Sequence, residues 1–144
     1  MFKKSFFTNL QKAKIKEAVQ KAELNTSGEI RVHISKSCSE SALDCATFWF
    51  EKLEMHKTDQ RNGVLFFLSP KNKKFAILGD AGINNKVPNN FWDEIKKTVL
   101  ESFKKDQFAE GLEKGILMAG EQLKQHFPHQ KDDINELSDD ISFG

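Results

Sequence analysis

The sequence predicts an α/β fold, a three-layer α/β/α sandwich in which a small mixed sheet is flanked by helices. The main observation is a run of five apolar residues at 64–68, which is too short for a helix and is typical of a strand covered on both faces. Two further strand patterns, at 29–35 and 74–78, precede and follow it. Apolar residues at helical spacing occur before, between and after these strands, which places helices around the sheet.

The first helix is predicted to begin after Thr8. Thr8 and Gln11 form a capping box, in which each side chain can bond to the backbone amide of the other residue. The apolar stripe that follows ends near Asn25. The strand at 29–35 then alternates strictly between apolar and polar residues, which predicts one polar face. On that face we expect His33 to be half-exposed and structural rather than catalytic.

The order of the elements predicts how the strands run. A second helix, capped by Ser39 or Ser41, separates the first strand from the central one. Such a strand-helix-strand unit has a right-handed crossover, so its two strands run parallel. The short polar segment 69–73 is typical of a hairpin loop, so the third strand returns antiparallel. Asn62 and Asp80 are therefore predicted to lie at the same end of the sheet.

Two more helices are predicted in the second half of the chain. Pro88 suits the first turn of one, Asp106 suits the N-cap of the other, and Pro128 ends the latter. We therefore expect one domain at 1–128. The remaining residues, 129–144, form an acidic tail, in which we expect Asp132 to Asp140 to be mobile, or held weakly to the basic body of the domain.

The tail leaves one alternative open. Its apolar residues include Ile134, Leu137 and Phe143. If one of these side chains fills a groove of the domain, the tail is structural or autoinhibitory, and its removal lowers the melting temperature.

The composition excludes several classes of protein. The net charge is only +1, so a nucleic-acid-binding role is not predicted. No stretch approaches the roughly 18 apolar residues of a membrane-spanning helix, and the first residues lack the apolar core of a signal peptide. We expect a cytoplasmic monomer that does not insert into membranes. In that compartment Cys38 and Cys45 are expected to form a reduced pair.

Four short motifs, in matching order across residues 10–123, resemble the TPM domain family. They are Ser27-Gly28-Glu29-Ile30-Arg31-Val32, Arg61-Asn62-Gly63-Val64-Leu65, Phe75-Ala76-Ile77-Leu78-Gly79-Asp80-Ala81-Gly82-Ile83 and Lys105-Asp106-Gln107-Phe108-Ala109-Glu110-Gly111-Leu112. The family includes thylakoid-lumen proteins of photosystem II repair and many bacterial proteins. The resemblance implies an α/β/α sandwich. It also implies an association with divalent cations, calcium among them, and the acid phosphatase activity attributed to plant members.

The sequence departs from the family pattern in two places. Many members have an acid directly before the Asn-Gly pair, where this chain has Arg61. Many also have an aromatic residue between two glycines, where this chain has Asp80 and Ala81 between Gly79 and Gly82. Both departures fall at the end of the sheet where a cation site is expected.

The predicted topology collects oxygen ligands at that end. Glu29 and Asn62 lie where two parallel strands begin, Asp80 lies where the third strand ends, and Asp59 and Asp93 could approach. Carboxylates and an amide are hard oxygen donors, which suit calcium or magnesium and disfavour zinc. The alternative is that Asp80 and Asn62 only cap turns while Glu29 pairs with a nearby arginine.

Three function classes follow from these observations. The first, which we favour, is a calcium-binding regulatory or interaction module. The second is a weak metal-dependent acid phosphatase, for which the sequence offers no recognisable nucleophile motif and hence no catalytic residue. The third is a metal-free adaptor that works through an unidentified protein partner.

Overall fold

The computed structural model describes residues 6–129 and 135–144, and its fold is α/β, as predicted. In chain order the helices and strands are α1 (Asn9–Glu23), β1 (Glu29–Ile34), α2 (Ala42–Lys52), β2 (Gly63–Ser69), β3 (Lys74–Gly79), α3 (Ala81–Asn84), α4 (Asp93–Lys104), α5 (Phe108–Leu123) and β4 (Ser142–Phe143). The short α3 and the strand β4 were not predicted. The other elements were.

The sheet is mixed and has the strand order β3-β2-β1-β4. β1 and β2 run parallel, in a register that pairs Glu29 with Gly63 and Ile34 with Leu68. β2 and β3 run antiparallel, and β4 is parallel to β1 on its other edge. The predicted crossover and hairpin are therefore confirmed, and the C-terminal residues add a fourth strand.

The helices cover both faces of the sheet and thereby make β2 the central strand. Val64 and Phe66 of β2 belong to a core formed with α1, α4 and α5. Leu65 and Phe67 point the other way, into a smaller core formed with α2. Every residue of β2 is buried, which explains its uninterrupted apolar sequence.

The helix starts agree with the sequence in part. In α1 the capping box is present, because the Gln11 amide donates to Thr8 Oγ1 at 3.1 Å and the Thr8 amide donates to Gln11 Oε1 at 2.9 Å. Helix α4 begins at Asp93 rather than near Pro88. The prediction that Asp106 caps α5 is wrong: Asp106 adopts a left-handed backbone conformation with φ of 59°, and Gln107 is the residue before the helix.

Residues 135–144 contact the domain, whereas the expectation that residues 132–140 are mobile or weakly held stays a prediction. Ser142 and Phe143 pair with His33 and Ile34 of β1, and Leu137 packs against the smaller core. His33 is consequently buried, with no exposed surface, instead of half-exposed. The polar face of β1 is covered by the tail. Ile134 lies outside the described residues.

Cys38 and Cys45 form a disulfide bond, so the expected reduced pair is wrong. Cys38 lies in the loop before α2 and Cys45 in the first turns of that helix. Their Cα atoms are 6.2 Å apart, a separation that a disulfide can bridge. Among the described residues, no helix is long and apolar enough to cross a membrane.

Candidate functional site

Three of the residues predicted as metal ligands meet at one end of the sheet. The Glu29 amide, where β1 begins, donates to the Asn62 carbonyl at 3.1 Å. The Asp80 amide, where β3 ends, donates to the Gly63 carbonyl at 2.9 Å. The parallel and antiparallel pairings of β2 with its neighbours thus place Glu29, Asn62 and Asp80 together, as the topology predicted.

The Asp80 carboxylate is fully engaged by groups of the protein itself. Arg61 donates to both of its oxygens, from Nε to Oδ2 and from Nη2 to Oδ1, each at 2.8 Å. The Ala81 amide also donates to Oδ1 at 2.7 Å, so Asp80 caps the short helix α3. The hydrogen bond to Asp80 raises the pKa of Arg61. A guanidinium therefore occupies the position beside Asp80 where a metal ion was predicted.

A close backbone contact holds this pair in place. The Gly82 amide donates to the Arg61 carbonyl at 2.9 Å. A Cβ atom at Gly82 would lie 2.1 Å from the Gln60 carbonyl oxygen and 2.6 Å from that of Arg61. Only glycine lets α3 approach the loop this closely. Arg61 itself has a left-handed backbone, with φ of 52°.

Asn62 acts as a connector between loops. Its side-chain nitrogen donates to the Ser27 carbonyl at 3.1 Å, and its amide donates to Thr58 Oγ1 at 3.2 Å. These bonds fix the segment before β1 against the segment before β2. Asn62 thereby positions the backbone that leads into Glu29.

The structure does not bring Asp59 and Asp93 into a shared site with Glu29. Asp59 is exposed, and its backbone amide, rather than its carboxylate, is the group that meets the tail, at 3.3 Å from Glu136 Oε2. Asp93 is exposed in the first turn of α4 and lines a separate depression with Lys96.

Glu29 is buried and only half satisfied. Its Oε1 accepts hydrogen bonds from two consecutive amides of the tail, those of Glu136 and Leu137, the latter at 2.8 Å. Its Oε2 is buried and has no hydrogen-bond partner among the described residues. Burial raises the pKa of Glu29 to about 7.

Glu29 lines a cavity of about 190 Å³ between the end of α1 and the tail. Other oxygen and nitrogen ligands line it too: Glu23, Ser27, His129, Asn135 and Asp139. The Ser27 Oγ is a second buried oxygen that lacks a partner within the part of the chain that the structure describes. The two residues that carry these oxygens, Glu29 and Ser27, therefore line the same cavity.

Glu23 and Asp139 form the acidic wall of this cavity. Glu23 Oε2 accepts from the Ile30 amide at 3.1 Å. Burial, together with a side-chain hydrogen bond to Asp139, raises the pKa of Glu23 to about 10. Sequence reasoning missed both residues, because Glu23 reads as the end of a solvated helix and Asp139 as part of an unattached tail.

As placed, these acids do not form a complete metal site. Across residues 6–129 and 135–144, no group of three or more His, Cys, Asp or Glu side chains is arranged to hold a metal ion. Glu23 and Asp139 share a side-chain hydrogen bond, whereas Oε1 of Glu29 accepts hydrogen bonds from the tail amides. A cation that entered the cavity would have to draw the three carboxylates together.

A second, larger cavity lies on the other side of the Arg61–Asp80 pair. It has a volume of about 560 Å³ and is lined by that pair together with Thr47, Glu51, His56 and Asn84. Arg61 faces it as a half-exposed cation. Thr47 Oγ1 donates to the Leu43 carbonyl at 2.9 Å, an ordinary bond within α2 that does not activate it as a nucleophile.

Comparison with known proteins finds one family model and several solved structures that match this chain. The family model of the TPM domain, which carries the label TPM phosphatase, matches residues 2–122. The BA42 protein of the psychrophilic bacterium Bizionia argentinensis, solved by NMR, is 42% identical. The match covers 98% of this chain and 97% of that one, with a TM-score of 0.92. No curated protein matches.

More distant solved structures share the fold. The N-terminal domain of a P. gingivalis protein is 17% identical, with a TM-score of 0.70 over 88% of this chain and 83% of that one. The N-terminal domain of a Corynebacterium glutamicum protein is 11% identical, with a TM-score of 0.62 over 94% and 80% of the two chains. At these identities the likeness extends to the fold alone.

Proposed function

This chain belongs to the TPM domain family, and from that premise we propose that it is a calcium-binding regulatory module whose cation enters the cavity beside Glu29. The proposal keeps the predicted end of the sheet and the predicted class of ion. It keeps Glu29 from the predicted ligands and replaces Asp80, Asn62, Asp59 and Asp93 with Glu23 and Asp139. Magnesium is the second ion that such a set of ligands suits.

One observation carries the proposal: the unpartnered Oε2 of Glu29. A buried carboxylate oxygen without a hydrogen bond destabilises the fold unless a proton or a cation neutralises it. The Ser27 Oγ is also without a partner in the described structure. Glu29 and Ser27 both line a cavity that two more carboxylate residues, Glu23 and Asp139, also line.

The chemistry of the cavity suits a hard cation. Calcium takes six to eight oxygen ligands at about 2.3–2.6 Å, and carboxylates, a hydroxyl and an amide supply that type of ligand here. The raised pKa values of Glu23 and Glu29 mean that these groups hold protons more tightly than exposed acids. Calcium would displace those protons, so its affinity should rise with pH.

A calcium titration followed by melting temperature tests the proposal. At about one hundred times its dissociation constant, calcium should stabilise the fold by roughly 2.7 kcal/mol. Glu29→Gln should abolish this gain, since it removes the charge from the central ligand. Asp80→Asn is the matched control, a neutralised acid at the same end of the sheet, and it should leave the gain in place.

Two outcomes would contradict the proposal. An unchanged melting temperature of the wild-type protein in millimolar calcium and in millimolar magnesium would remove the cation site. A gain that survives Glu29→Gln but disappears in Asp80→Asn would return the site to the residues that the sequence predicted.

A metal-dependent acid phosphatase is the second candidate, and the family label favours it. Arg61 is the group that would bind a phosphate ester, because its guanidinium faces the larger cavity. Hydrolysis of an aryl phosphate by the purified protein should then fall strongly in Arg61→Gln. Activity that is unaffected by Arg61→Gln would indicate a contaminating enzyme.

The disulfide bears on where the protein works. Disulfides persist in oxidising compartments and are rare in the cytoplasm. Cys38–Cys45 therefore favours an oxidising location over the cytoplasm expected from the sequence. Thiol labelling of the protein in intact cells, with and without prior reduction, would decide between the two.

A further inference from the structure

The polar face of β1 is matched, residue by residue, to the C-terminal segment. Glu29, Arg31 and His33 lie at alternate positions of the strand and point to the same face. Each meets a different part of the segment: Glu29 Oε1 accepts from the Leu137 amide, Arg31 lies in the field of Asp140, and His33 Nδ1 bonds with Ser142 Oγ. The alternating polar residues of β1 thus face a bound segment rather than solvent.

Helix α1 packs on the opposite face of β1 and adds a basic border along the same edge of the sheet. Lys16 Nζ lies 2.8 Å from Asp140 Oδ1, and Lys12 Nζ lies 5.1 Å from the centre of the Phe143 ring. A cavity of about 280 Å³ remains between α1 and the segment at these residues. The segment therefore lies in a basic groove that it does not fill.

The segment is itself poorly buried. None of residues 135–144 is buried, and Phe143 is 47% exposed, whereas Glu29 and His33 beneath them are 4% and 0% exposed. Within the described residues 135–144, only Ser142 and Phe143 pair with β1 as a strand, although β1 has six residues. Few buried contacts are typical of a region that opens at low cost in free energy.

We propose that the groove formed by the edge of β1 and by Lys12 and Lys16 of α1 is a binding site for an extended acidic segment of a partner protein. The chain's own residues 135–144 are its resident occupant. The partner would run parallel to β1 with an acid opposite Lys16 and Arg31, a small hydroxyl residue at His33, and an aromatic residue after it. This is recognition by strand addition, with charge setting the specificity.

A partner fits this groove better than the same segment from a second copy. The resident segment belongs to the same chain, so it competes at an effective concentration on the order of millimolar. The same segment of a second copy offers the same two strand pairs without the tether. A partner strand that pairs along all six residues of β1 gains hydrogen bonds that the resident lacks.

The test uses the full chain with its own segment weakened. Asp140→Lys with Ser142→Pro removes the ion pair to Lys16 and the strand pairing of β4. A fluorescent peptide with the sequence of residues 135–144 is the probe, and anisotropy measures its binding. We expect the weakened variant to bind the peptide at least about tenfold more tightly than the wild-type chain, in which the tethered segment competes.

A charge reversal on α1 tests whether the peptide lies in the groove. Adding Lys16→Glu to the weakened variant should reduce peptide affinity about tenfold, because it opposes Asp140 of the peptide with a like charge. Lys14→Glu makes the same change at an exposed position of the same helix and should change affinity by less than about twofold. Shifts of the amide signals of residues 29–34 should accompany binding.

Three results would overturn the proposal. The first is a weakened variant that keeps the wild-type amide pattern of residues 64–68, and so is folded, yet does not bind the peptide at about millimolar concentration. The second is equal loss of binding in Lys14→Glu and Lys16→Glu. The third is a concentration-dependent dimer of the wild-type chain that Asp140→Lys with Ser142→Pro abolishes, which would assign the groove to a second copy. If the weakened variant does not fold, the same peptide added in excess to the wild-type chain should displace the signals of residues 142–144, and failure to do so counts against the groove.

Discussion

Asp80 and Glu29 are two carboxylates at the same end of the sheet, and they differ in how completely the surrounding residues satisfy their oxygens. Both are buried, at 6% and 4% exposed. Asp80 receives both arms of the Arg61 guanidinium and a backbone amide. Glu29 receives two amides on one oxygen and nothing on the other within the described residues. One acid has its cation built in, and the other does not.

The difference shows that position in the topology is not enough to identify a cation site. The strand pairings bring both acids to the predicted end with equal accuracy. What separates them is the residue that stands before the Asn-Gly pair, because Arg61 neutralises Asp80 from a distance of 2.8 Å. The resemblance to the TPM family draws attention to the same position, where many members have an acid.

The largest expected effect comes from disrupting the close backbone contact at Gly82, which holds the Arg61–Asp80 pair in place. Gly82→Ala should destabilise the fold by at least about 3 kcal/mol, because its Cβ would overlap two backbone carbonyls that cannot move aside separately. Chemical or thermal unfolding measures this loss in the free energy of unfolding. Ala81→Ser, at the exposed neighbouring position, is the control and should change stability by less than about 0.5 kcal/mol.

A Gly82→Ala protein with unchanged stability would mean that α3 stands further from the loop at 60–61 than the structure places it. The Arg61–Asp80 pair would then be looser than described. Asp80 would return as a candidate cation ligand beside Glu29.

Local rules predicted much of this fold. Five apolar residues identified the central strand, and the crossover rule together with the hairpin placed Glu29, Asn62 and Asp80 at one end. These rules work because they depend on residues close in sequence. The Thr8–Gln11 capping box belongs to the same class of local signal.

The candidate cavity could not be predicted in the same way, because its walls come from distant parts of the chain. Glu23 and Asp139 are 116 positions apart in the sequence, and they come into contact because the tail packs against the domain. The prediction that His33 is half-exposed failed for the same reason. Period-two alternation cannot distinguish a face covered by solvent from one covered by a distant polar segment. The disulfide was misjudged because compartment was inferred from composition.

The next effect in size concerns His33, whose pKa is lowered to about 4 by burial and by the charge of Arg31. Below its ordinary pKa of 6.5 the unfolded chain takes up a proton that the folded chain does not. Stability should therefore fall by about 2 kcal/mol as the pH drops from about 6.5 to about 4, with no further loss from this group below that.

Comparison of wild type with His33→Phe isolates this contribution. Phenylalanine keeps the stacking on Trp49, whose ring centre is 3.9 Å away, and cannot titrate. Urea unfolding of both proteins between pH 7 and pH 4 should give a wild-type curve that falls relative to the variant. The same substitution at the partly exposed His126 should preserve the wild-type slope. Parallel curves for wild type and His33→Phe would show that His33 gains its proton in the folded state.

The smallest effect returns to Glu29 and has the opposite sign. Its pKa is raised from an ordinary 4.5 to about 7, so the folded state disfavours the ionised form, and stability from this group falls as the pH rises from 4.5 to 7. Glu29→Gln removes the charge, whose raised pKa corresponds to roughly 3 kcal/mol at pH 8, but its neutral oxygen accepts weaker bonds from the tail amides. Without calcium it should therefore raise stability at pH 8 by only about 1 kcal/mol. At pH 4 it should have almost no effect, and Glu40→Gln, at an exposed acid in the loop before α2, should change stability by less than about 0.5 kcal/mol at both pH values. Asp80→Asn should instead lower stability at pH 8, since it weakens the bonds from Arg61. A Glu29→Gln protein that is less stable than wild type at pH 8 would mean that both oxygens of Glu29 are satisfied, and the reason for placing a cation beside it would be gone.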